Sequence, residues 1–373
     1  MSRRYLNVGA FAGVPVRLDV SWFVLITLIT WALPRLYLTQ ALPLSAQAYS
    51  WVVALLVALL FGGTVLLHEL AHATAARAVH LKVKQITLTL FGGGVSLAEN
   101  RQYPGQELLI SLAGPSTTIV SGLLFGLVYH ASSPGLMVVA APARVLQVTC
   151  IVLGIFNLLP ALPLDGGQAL KAVLWYLGGD QHAAARWAAR IGQWLGTVLT
   201  VGSLMLWFTR DAREWIWVAL VGLLVESGAR GALRQADVRR ALDGRVAADV
   251  MLRGCVPLEP TLTLEALDDA LARRRVPCLV VGDGDAVYGI LTPRLLRKVP
   301  RPQWPSTTLA AAMLPLSDEM RAEPELGLDR VLERMEEYRL EEMPVMRDGV
   351  LLGVVERHEI SRLIESRMAP GLG

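Results

Sequence analysis

Residues 64–75 read TVLLHELAHATA, so two histidines and a glutamate lie within a run that is otherwise apolar enough for a lipid bilayer. An ionisable side chain inside a membrane helix costs at least about 2.5 kcal/mol, and such residues are usually functional. His68 and His72 are four residues apart and project from the same face of a helix. The spacing HExxH binds zinc through both imidazoles and leaves Glu69 as general base. We interpret the stretch as a zinc site in a membrane helix.

Composition agrees with a membrane protein. Of the 373 residues, 53% are hydrophobic and 18% charged, and the mean hydropathy is +0.45, which is more apolar than a typical soluble domain. Residues 1–228 are mostly apolar, whereas residues 229–368 are rich in Arg, Asp and Glu. The net charge of +3 is small, and the basic residues do not form one face, so nucleic acid is not an expected partner. A cleaved signal peptide is not expected.

Six apolar stretches approach the ~20 residues needed to span a bilayer. They are residues 20–38, 51–76, 107–129, 136–160, 183–208 and 213–229, of which the first and the last are the weakest. Most Lys and Arg residues in the short loops fall on one side of this arrangement, which is expected to be cytoplasmic. The sequence therefore predicts a multi-pass protein of the cell membrane with six spans and both termini in the cytoplasm.

A short apolar segment follows the second span. Residues 83–100 read VKQITLTLFGGGVSLAEN, and their alternation predicts a strand over 86–90 and a second strand over 95–97. The glycines between them, Gly92, Gly93 and Gly94, predict a tight turn. Because lipid offers no hydrogen-bond partners, the backbone of this membrane-associated hairpin must be paired within the protein.

The chain after residue 245 contains an internal repeat. Both halves run in the same order: a Met-Leu start, an acidic residue before proline, an amphipathic helix, a strand, Asp-Gly and a Gly-led strand. Neither half contains a nucleophile, a metal cluster or a phosphate loop, so we interpret the repeat as a regulatory or interaction module. The predicted domains are a membrane domain over 1–228, a linker over 229–244, and α/β units over 245–300 and 301–373.

A catalytic zinc site needs a third protein ligand, and Asp165 in NLLPALPLDGG is the best candidate. It follows an apolar run, precedes two glycines that permit close backbone approach, and lies at the same predicted membrane depth as HELAH. These features favour it over Glu99, Glu107 and His80. The alternative is that Asp165 caps a helix beginning near Gln168.

HELAH, the glycine-rich hairpin, SLAGP at 111–115, NLLPALPLDGG and the C-terminal repeat together resemble the site-2 protease family of intramembrane zinc metalloproteases. The resemblance is to the group with two C-terminal cystathionine-β-synthase (CBS) domains. It implies one zinc per chain, held by His68, His72 and Asp165, and catalysis by Glu69. It also implies that Asn157 contacts the substrate backbone or the developing oxyanion. The alternative for Asn157 is a hydrogen bond between helices.

The implied reaction is cleavage of single-span membrane proteins near the cytoplasmic face. The substrate helix must first unwind, and the edge of the hairpin at Gly92, Gly93 and Gly94 offers a strand on which it could pair; plain packing is the alternative. Two other classes remain open. One is a transporter or channel regulated by the CBS pair, and the other is a catalytically inactive scaffold.

The CBS repeats depart from a common nucleotide-binding pattern, in which Thr or Ser follows the Gly-led strand and Asp lies three residues later. The first copy has Thr292 but Leu295 at the Asp position, and the second has Glu356 and Glu359. The sequence therefore leaves open whether the pair binds an adenine nucleotide through Thr292 and Glu359 or mediates only homodimerisation or substrate docking.

The three cysteines, Cys150, Cys255 and Cys278, show no CxxC spacing. We expect them to be buried thiols.

Overall fold

A computed structural model of the chain describes residues 5–11, 13–35, 49–89, 92–97, 103–132, 136–210, 214–272, 278–284 and 286–368. The chain divides into two compact units, Met1–Arg234 and Gln235–Gly373. The first unit is mainly helical and the second is α/β, which confirms the predicted fold class.

The helices of the first unit are α1 (Val20–Leu33), α2 (Ser50–Ala78), α3 (Pro104–Ala131), α4 (Met137–Asn157), α5 (Asp165–Gly178), α6 (Gln181–Arg210) and α7 (Trp215–Leu242). Within the described residues, five of them (α2, α3, α4, α6 and α7) are long and apolar enough to cross a membrane. The predicted first span, residues 20–38, is described only as far as residue 35; within it α1 has 14 residues, and Pro34 follows its last residue. Proline lacks the N–H that would continue the helix.

A four-stranded sheet packs against α2. Its strands are β1 (Tyr5–Phe11), β2 (Val14–Asp19), β3 (Val83–Thr89) and β4 (Gly92–Leu97), in that spatial order. Strand β2 runs parallel to β3, and the other neighbours are antiparallel. Sequence reasoning missed β1 and β2, because every residue of β1 is exposed and the segment lacks an apolar run.

The predicted tight turn at the three glycines is wrong. Gly92, Gly93 and Gly94 are the first residues of β4 and pair with residues 87–89 of β3. Residues 90 and 91 lie outside the described part. The sheet is held on α2 by a cluster of buried apolar side chains: Val14, Val16, Leu70, Ala73 and Ile86. This packing places β4 beside the segment of α2 that contains HELAH.

Small residues allow the long helices to approach closely. A side chain added at Gly122 or Gly154 would contact Ile151 or Ile119 across the interface between α3 and α4. Glycine at such positions is typical of membrane helix packing, which depends on van der Waals contact rather than on a hydrophobic driving force. The close packing therefore fits a helical unit in lipid.

The second unit contains β5 (Leu252–Arg253), α8 (Leu264–Ala272), β6 (Val280–Asp283), β7 (Ala286–Ile290), α9 (Pro293–Leu296), α10 (Leu309–Ala312), β8 (Leu314–Pro315), α11 (Leu328–Glu337), β9 (Glu342–Arg347), β10 (Val350–Glu356) and α12 (Arg357–Met368). Its two sheets have the strand orders β5-β10-β9 and β6-β7-β8. The short first strand of each repeat thus pairs in the sheet of the other repeat. The two halves are interlocked, although each follows the predicted order of elements.

The segment predicted as a linker, residues 229–244, lies largely within α7, which continues to Leu242. Leu242 belongs to the apolar core of the second unit, together with Ala247, Leu328 and Val331. The segment is therefore an ordered helix rather than an extended connection.

The prediction of three buried thiols is wrong for two of them. Cys255 and Cys278 form a disulfide with a Cα–Cα distance of 6.0 Å, whereas Cys150 is free and buried. Next to Cys278, the Leu279 N–H donates a hydrogen bond of 2.8 Å to the carboxylate of Glu342. Burial raises the pKa of Glu342 to about 7. The contact joins the two repeats inside the unit, which sequence spacing alone could not reveal.

Candidate metal centre

Two helices bring three metal-binding side chains together. His68 and His72 lie on one face of α2, and Asp165 is the first residue of α5. The His68 Nε2 and His72 Nε2 atoms are 3.1 Å apart. The Asp165 carboxylate oxygens lie 3.2 Å from His68 Nε2 and 3.4 Å from His72 Nε2. Among the residues that the structure describes, these three form a group that could hold a metal ion.

These separations fit zinc. Zinc binds histidine nitrogen and carboxylate oxygen at about 2.0–2.2 Å in a tetrahedral arrangement, which places neighbouring ligand atoms about 3.3 Å apart. The three measured separations lie close to that value. A set of two imidazoles and one carboxylate also leaves the fourth position of the tetrahedron for water or substrate. The donor set therefore suits a catalytic zinc ion.

Helix α3 fixes the orientation of both imidazoles. His68 Nδ1 lies 2.8 Å from Thr118 Oγ1, and His72 Nδ1 lies 2.6 Å from the carbonyl oxygen of Ile110. The Thr118 hydroxyl donates to the Gly114 carbonyl, so it accepts the hydrogen bond from His68. A carbonyl can only accept, so both Nδ1 atoms carry the proton and both Nε2 lone pairs are available to a metal. Such partners are typical of metal-binding histidines.

Gly114 lies close to the Nε2 atoms of both rings. A Cβ atom at this position would lie 2.6 Å from His68 Nε2 and closer still to His72 Nε2. Gly114 belongs to the SLAGP motif, and its close contact is with the side chains of the candidate metal ligands. The glycine of the SLAGP motif indicated a close contact at this position. The side chains that it contacts could be identified only from the packing of α3 on α2.

Glu69 is 5% exposed and lies beside the hairpin. A Cβ atom on Gly93 would lie 2.5 Å from Glu69 Cδ and 2.7 Å from Glu69 Oε1. The absence of a side chain at Gly93 is thus required by the approach of β4 to the glutamate. This close approach explains why glycine occupies position 93 of the strand.

Glycines also allow the start of α5 to pack closely against the preceding loop. A Cβ atom on Gly166 or Gly167 would overlap the backbone of residues 158–162. Helix α5 begins at Asp165, and the Asp165 side chain faces the imidazoles. The alternative in which Asp165 caps a helix near Gln168 is therefore wrong. The LDGG sequence lets α5 pack against the preceding loop and presents the carboxylate at the helix start.

A cavity of about 430 Å³ opens on the site. Asn157, the last residue of α4, lines it together with the three glycines of β4 and the three candidate ligands. Sequence reasoning missed two further polar lining residues, Ser111 on α3 and Gln168 on α5. Their neighbourhood depends on helix packing, and no local spacing in the sequence indicates it.

The rejected ligand candidates lie elsewhere or make other contacts. Glu107 forms an ion pair with Lys171, and His80 lies in a loop beyond the end of α2 with φ of 64°. Glu99 falls outside the described residues.

The predicted nucleotide residues of the second unit are engaged locally. Thr292 is buried, and its hydroxyl accepts a hydrogen bond of 3.3 Å from the Leu295 N–H. Glu359 accepts a hydrogen bond of 2.7 Å from Arg362. Both residues thus contribute to the ends of helices α9 and α12.

Comparison with known proteins identifies the class. Residues 56–140 and 136–199 match the sequence model of peptidase family M50, and residues 246–301 and 314–366 match the CBS domain. The fold and the site therefore belong to the class of membrane zinc metalloproteases with a CBS pair.

Similar proteins give the same assignment over nearly the full length. The chain is 30% identical to Rip3 of Mycobacterium tuberculosis, with 97% of this chain and 93% of that protein covered. It is 28% identical to sll0528 of Synechocystis, with 98% and 96% covered. Both relatives carry zinc-metalloprotease names. The site-2 protease from Methanocaldococcus jannaschii is 24% identical with a TM-score of 0.41, and the match covers 62% of this chain and 95% of that one.

The chain belongs to peptidase family M50, the site-2 protease type of zinc metalloprotease, and carries a C-terminal CBS pair. This membership confirms the sequence-based assignment to the family and to the enzyme class. It also excludes the alternative that the protein is a transporter or channel.

Proposed function

We propose that the protein is an intramembrane endopeptidase that cleaves single-span membrane proteins with one zinc ion held by His68, His72 and Asp165. The observation that carries this proposal is the convergence of His68, His72 and Asp165, whose imidazole nitrogens and carboxylate oxygens lie 3.1–3.4 Å apart beside a cavity in a helical membrane unit. Ionisable groups are costly in such a unit, and their convergence on one point indicates chemistry.

The chain's own residues perform the proton transfers. When bound, zinc lowers the pKa of its water toward 7 and polarises a peptide carbonyl. Glu69 lines the same cavity and acts as general base and then as general acid: it takes the proton from the attacking water and returns it to the leaving amine. The Nδ1 contacts of His68 and His72 keep both rings in the orientation that binds metal.

The substrate binds in an extended form along β4. Strand β4 stands at the edge of the sheet, paired with β3 on one side, and its glycines line the cavity. An unwound substrate segment would add to that edge through main-chain hydrogen bonds, which replace those of its own helix. Asn157 lines the same cavity, and in this proposal its side chain donates to the substrate carbonyl or to the developing oxyanion.

The cytosolic CBS pair regulates or positions the protease and holds two copies together. The departures from the nucleotide-binding pattern at Leu295 and Glu356 favour dimerisation over nucleotide binding as its role. Light scattering of the full chain in detergent measures this directly. A particle that contains two chains supports the proposal, and a particle with one chain contradicts it.

The decisive experiment compares wild type with Glu69→Gln. Each full-length protein is purified in detergent, its bound metal is measured, and a panel of single-span substrates is tested for cleavage. We expect about one zinc per chain in both proteins and cleavage in wild type only, because glutamine keeps the shape of Glu69 but cannot accept a proton. Glu226→Gln removes another membrane carboxylate and serves as control.

Two outcomes contradict the proposal. Cleavage by Glu69→Gln at the wild-type rate would exclude the general-base role. Wild-type protein that holds zinc but cleaves no member of the panel would favour the catalytically inactive scaffold.

A further inference from the structure

A buried ion pair joins two of the helices around the metal site. Glu107 is in the first turn of α3 and is 0% exposed. Its Oε1 atom lies 2.9 Å from the Nζ atom of Lys171 on α5, whose side chain is 12% exposed. Relative to well-packed apolar residues, a buried ion pair adds little stability because both charges must be desolvated. Its presence in an apolar helical unit therefore indicates a role other than stability.

The α3 partner lies on the face that supports the imidazoles. Glu107, Ser111, Gly114 and Thr118 are spaced by four, three and four residues, so they lie along one side of the helix. Gly114 lies against the Nε2 atoms of both rings, and Thr118 contacts His68 Nδ1. The carbonyl of Ile110, one turn after Glu107, contacts His72 Nδ1. Helix α3 is therefore the frame against which the α2 ligands are positioned.

The α5 partner lies on the helix that carries the third ligand. The start of α5 is fixed by the packing of Gly166 and Gly167 on residues 158–162. Helix α5 also packs along α3 and α6, where its Leu170 and Leu174 join an apolar cluster with Ala188 and Ala189. Lys171 lies six residues after Asp165, about 9 Å along the helix, and adds a charged contact to α3. Unlike the apolar packing, this contact is directional, because it requires a nitrogen and an oxygen at hydrogen-bond distance.

We propose that Glu107 and Lys171 are positioning residues. They hold the Asp165 carboxylate at the distance from His68 and His72 at which all three side chains can bind one metal ion. Neither residue touches the reacting atoms. The pair fixes the position of α5 relative to α3, which is also the helix that orients the imidazoles. Helix α3 therefore positions all three ligands. The inference rests on the proposed zinc site, because its consequence is expressed in metal affinity.

The test uses full-length protein in detergent and three measurements: zinc affinity by competition with a chelator, kcat and KM for a cleaved substrate, and the unfolding midpoint without metal. The single variants are Lys171→Met and Glu107→Gln. One double variant, Glu107→Lys with Lys171→Glu, restores the pair in reverse. A second, Glu107→Leu with Lys171→Met, replaces it by apolar side chains. Glu226→Gln, which alters the α7 carboxylate that contacts Arg230 and Thr197, is the matched control.

We expect each single variant to lower zinc affinity by about 10–100-fold, as for the loss of groups that orient metal ligands. The value of kcat falls while KM stays near wild type, because the substrate edge is untouched. The reversed pair recovers both properties. The apolar pair recovers the unfolding midpoint but not the zinc affinity, since apolar side chains restore the packing without the directional contact between the two charged groups. Glu226→Gln leaves zinc affinity unchanged.

The proposal is overturned if the apolar pair regains wild-type zinc affinity together with its unfolding midpoint, because the ion pair would then be merely structural. It is also overturned if folded single variants bind zinc as wild type does. Should a single variant fail to fold, the two double variants decide. Wild-type protein that binds no zinc contradicts the proposed function instead, so the two failures are distinguishable.

Discussion

At the residue scale, the metal centre depends on a glycine as much as on its ligands. Gly114 on α3 has no space for a side chain, because a Cβ atom there would lie 2.6 Å from His68 Nε2. The sequence identified His68, Glu69, His72 and Asp165 from spacing and from the cost of ionisable groups in lipid. It could not identify Thr118 or the carbonyl of Ile110, because neither belongs to a local motif.

Gly114→Ala is expected to displace both imidazoles and to lower zinc affinity by more than about 10-fold, as when groups that orient metal ligands are disturbed. Competition with a chelator measures this in full-length protein. Gly105→Ala lies on the same helix with open space around its Cβ position and should bind zinc as wild type does. Equal affinities in the two variants would show that the imidazoles do not depend on Gly114.

At the element scale, the sequence predicted the two strands of the hairpin correctly but assigned its glycines to the wrong part of it. The alternation of apolar residues predicted two strands, and β3 and β4 are present. The glycines were assigned to the turn because glycine is common there, but Gly93 is required in β4 by its approach to Glu69. A local rule was overridden by a contact between residues 24 positions apart in the sequence.

Gly93→Ala is expected to push β4 away from Glu69 and to reduce cleavage by about 100-fold, since a displacement near 1 Å can have that effect on a catalytic geometry. Zinc content should not change, because the added methyl group meets Glu69 rather than a ligand. A cleavage assay with metal analysis measures both. Ser96→Ala, an exposed position on the same strand, should cleave normally. Retained activity in Gly93→Ala would argue against the close approach of β4.

At the scale of the whole molecule, the number of membrane crossings decides on which side each terminus lies. In the described part of the chain, five helices are long enough to cross, whereas the 14 residues of α1 extend about 21 Å, less than the ~30 Å thickness of the hydrocarbon core. Six crossings place both termini on one side, and five place them on opposite sides. The distribution of Lys and Arg favours both termini in the cytoplasm.

Reporter fusions test this arrangement. A phosphatase that folds only outside the cytoplasm should be inactive at either terminus and active when inserted between α3 and α4. A fluorescent protein that folds only in the cytoplasm should give the opposite pattern. Phosphatase activity at the N-terminus but not at the C-terminus would indicate five crossings and would place α1 at the membrane surface.

The sequence by itself determined the class of the protein, the separation of a membrane unit from an α/β repeat, and the candidate ligands. Each of these depends on composition, on spacing within one helix, or on the high cost of charge in lipid. Only the tertiary structure decided that β1 and β2 complete the sheet, that the CBS repeats exchange their first strands, and that Glu107 binds Lys171. Those features join residues far apart in the chain, and close packing determines them where local propensity does not.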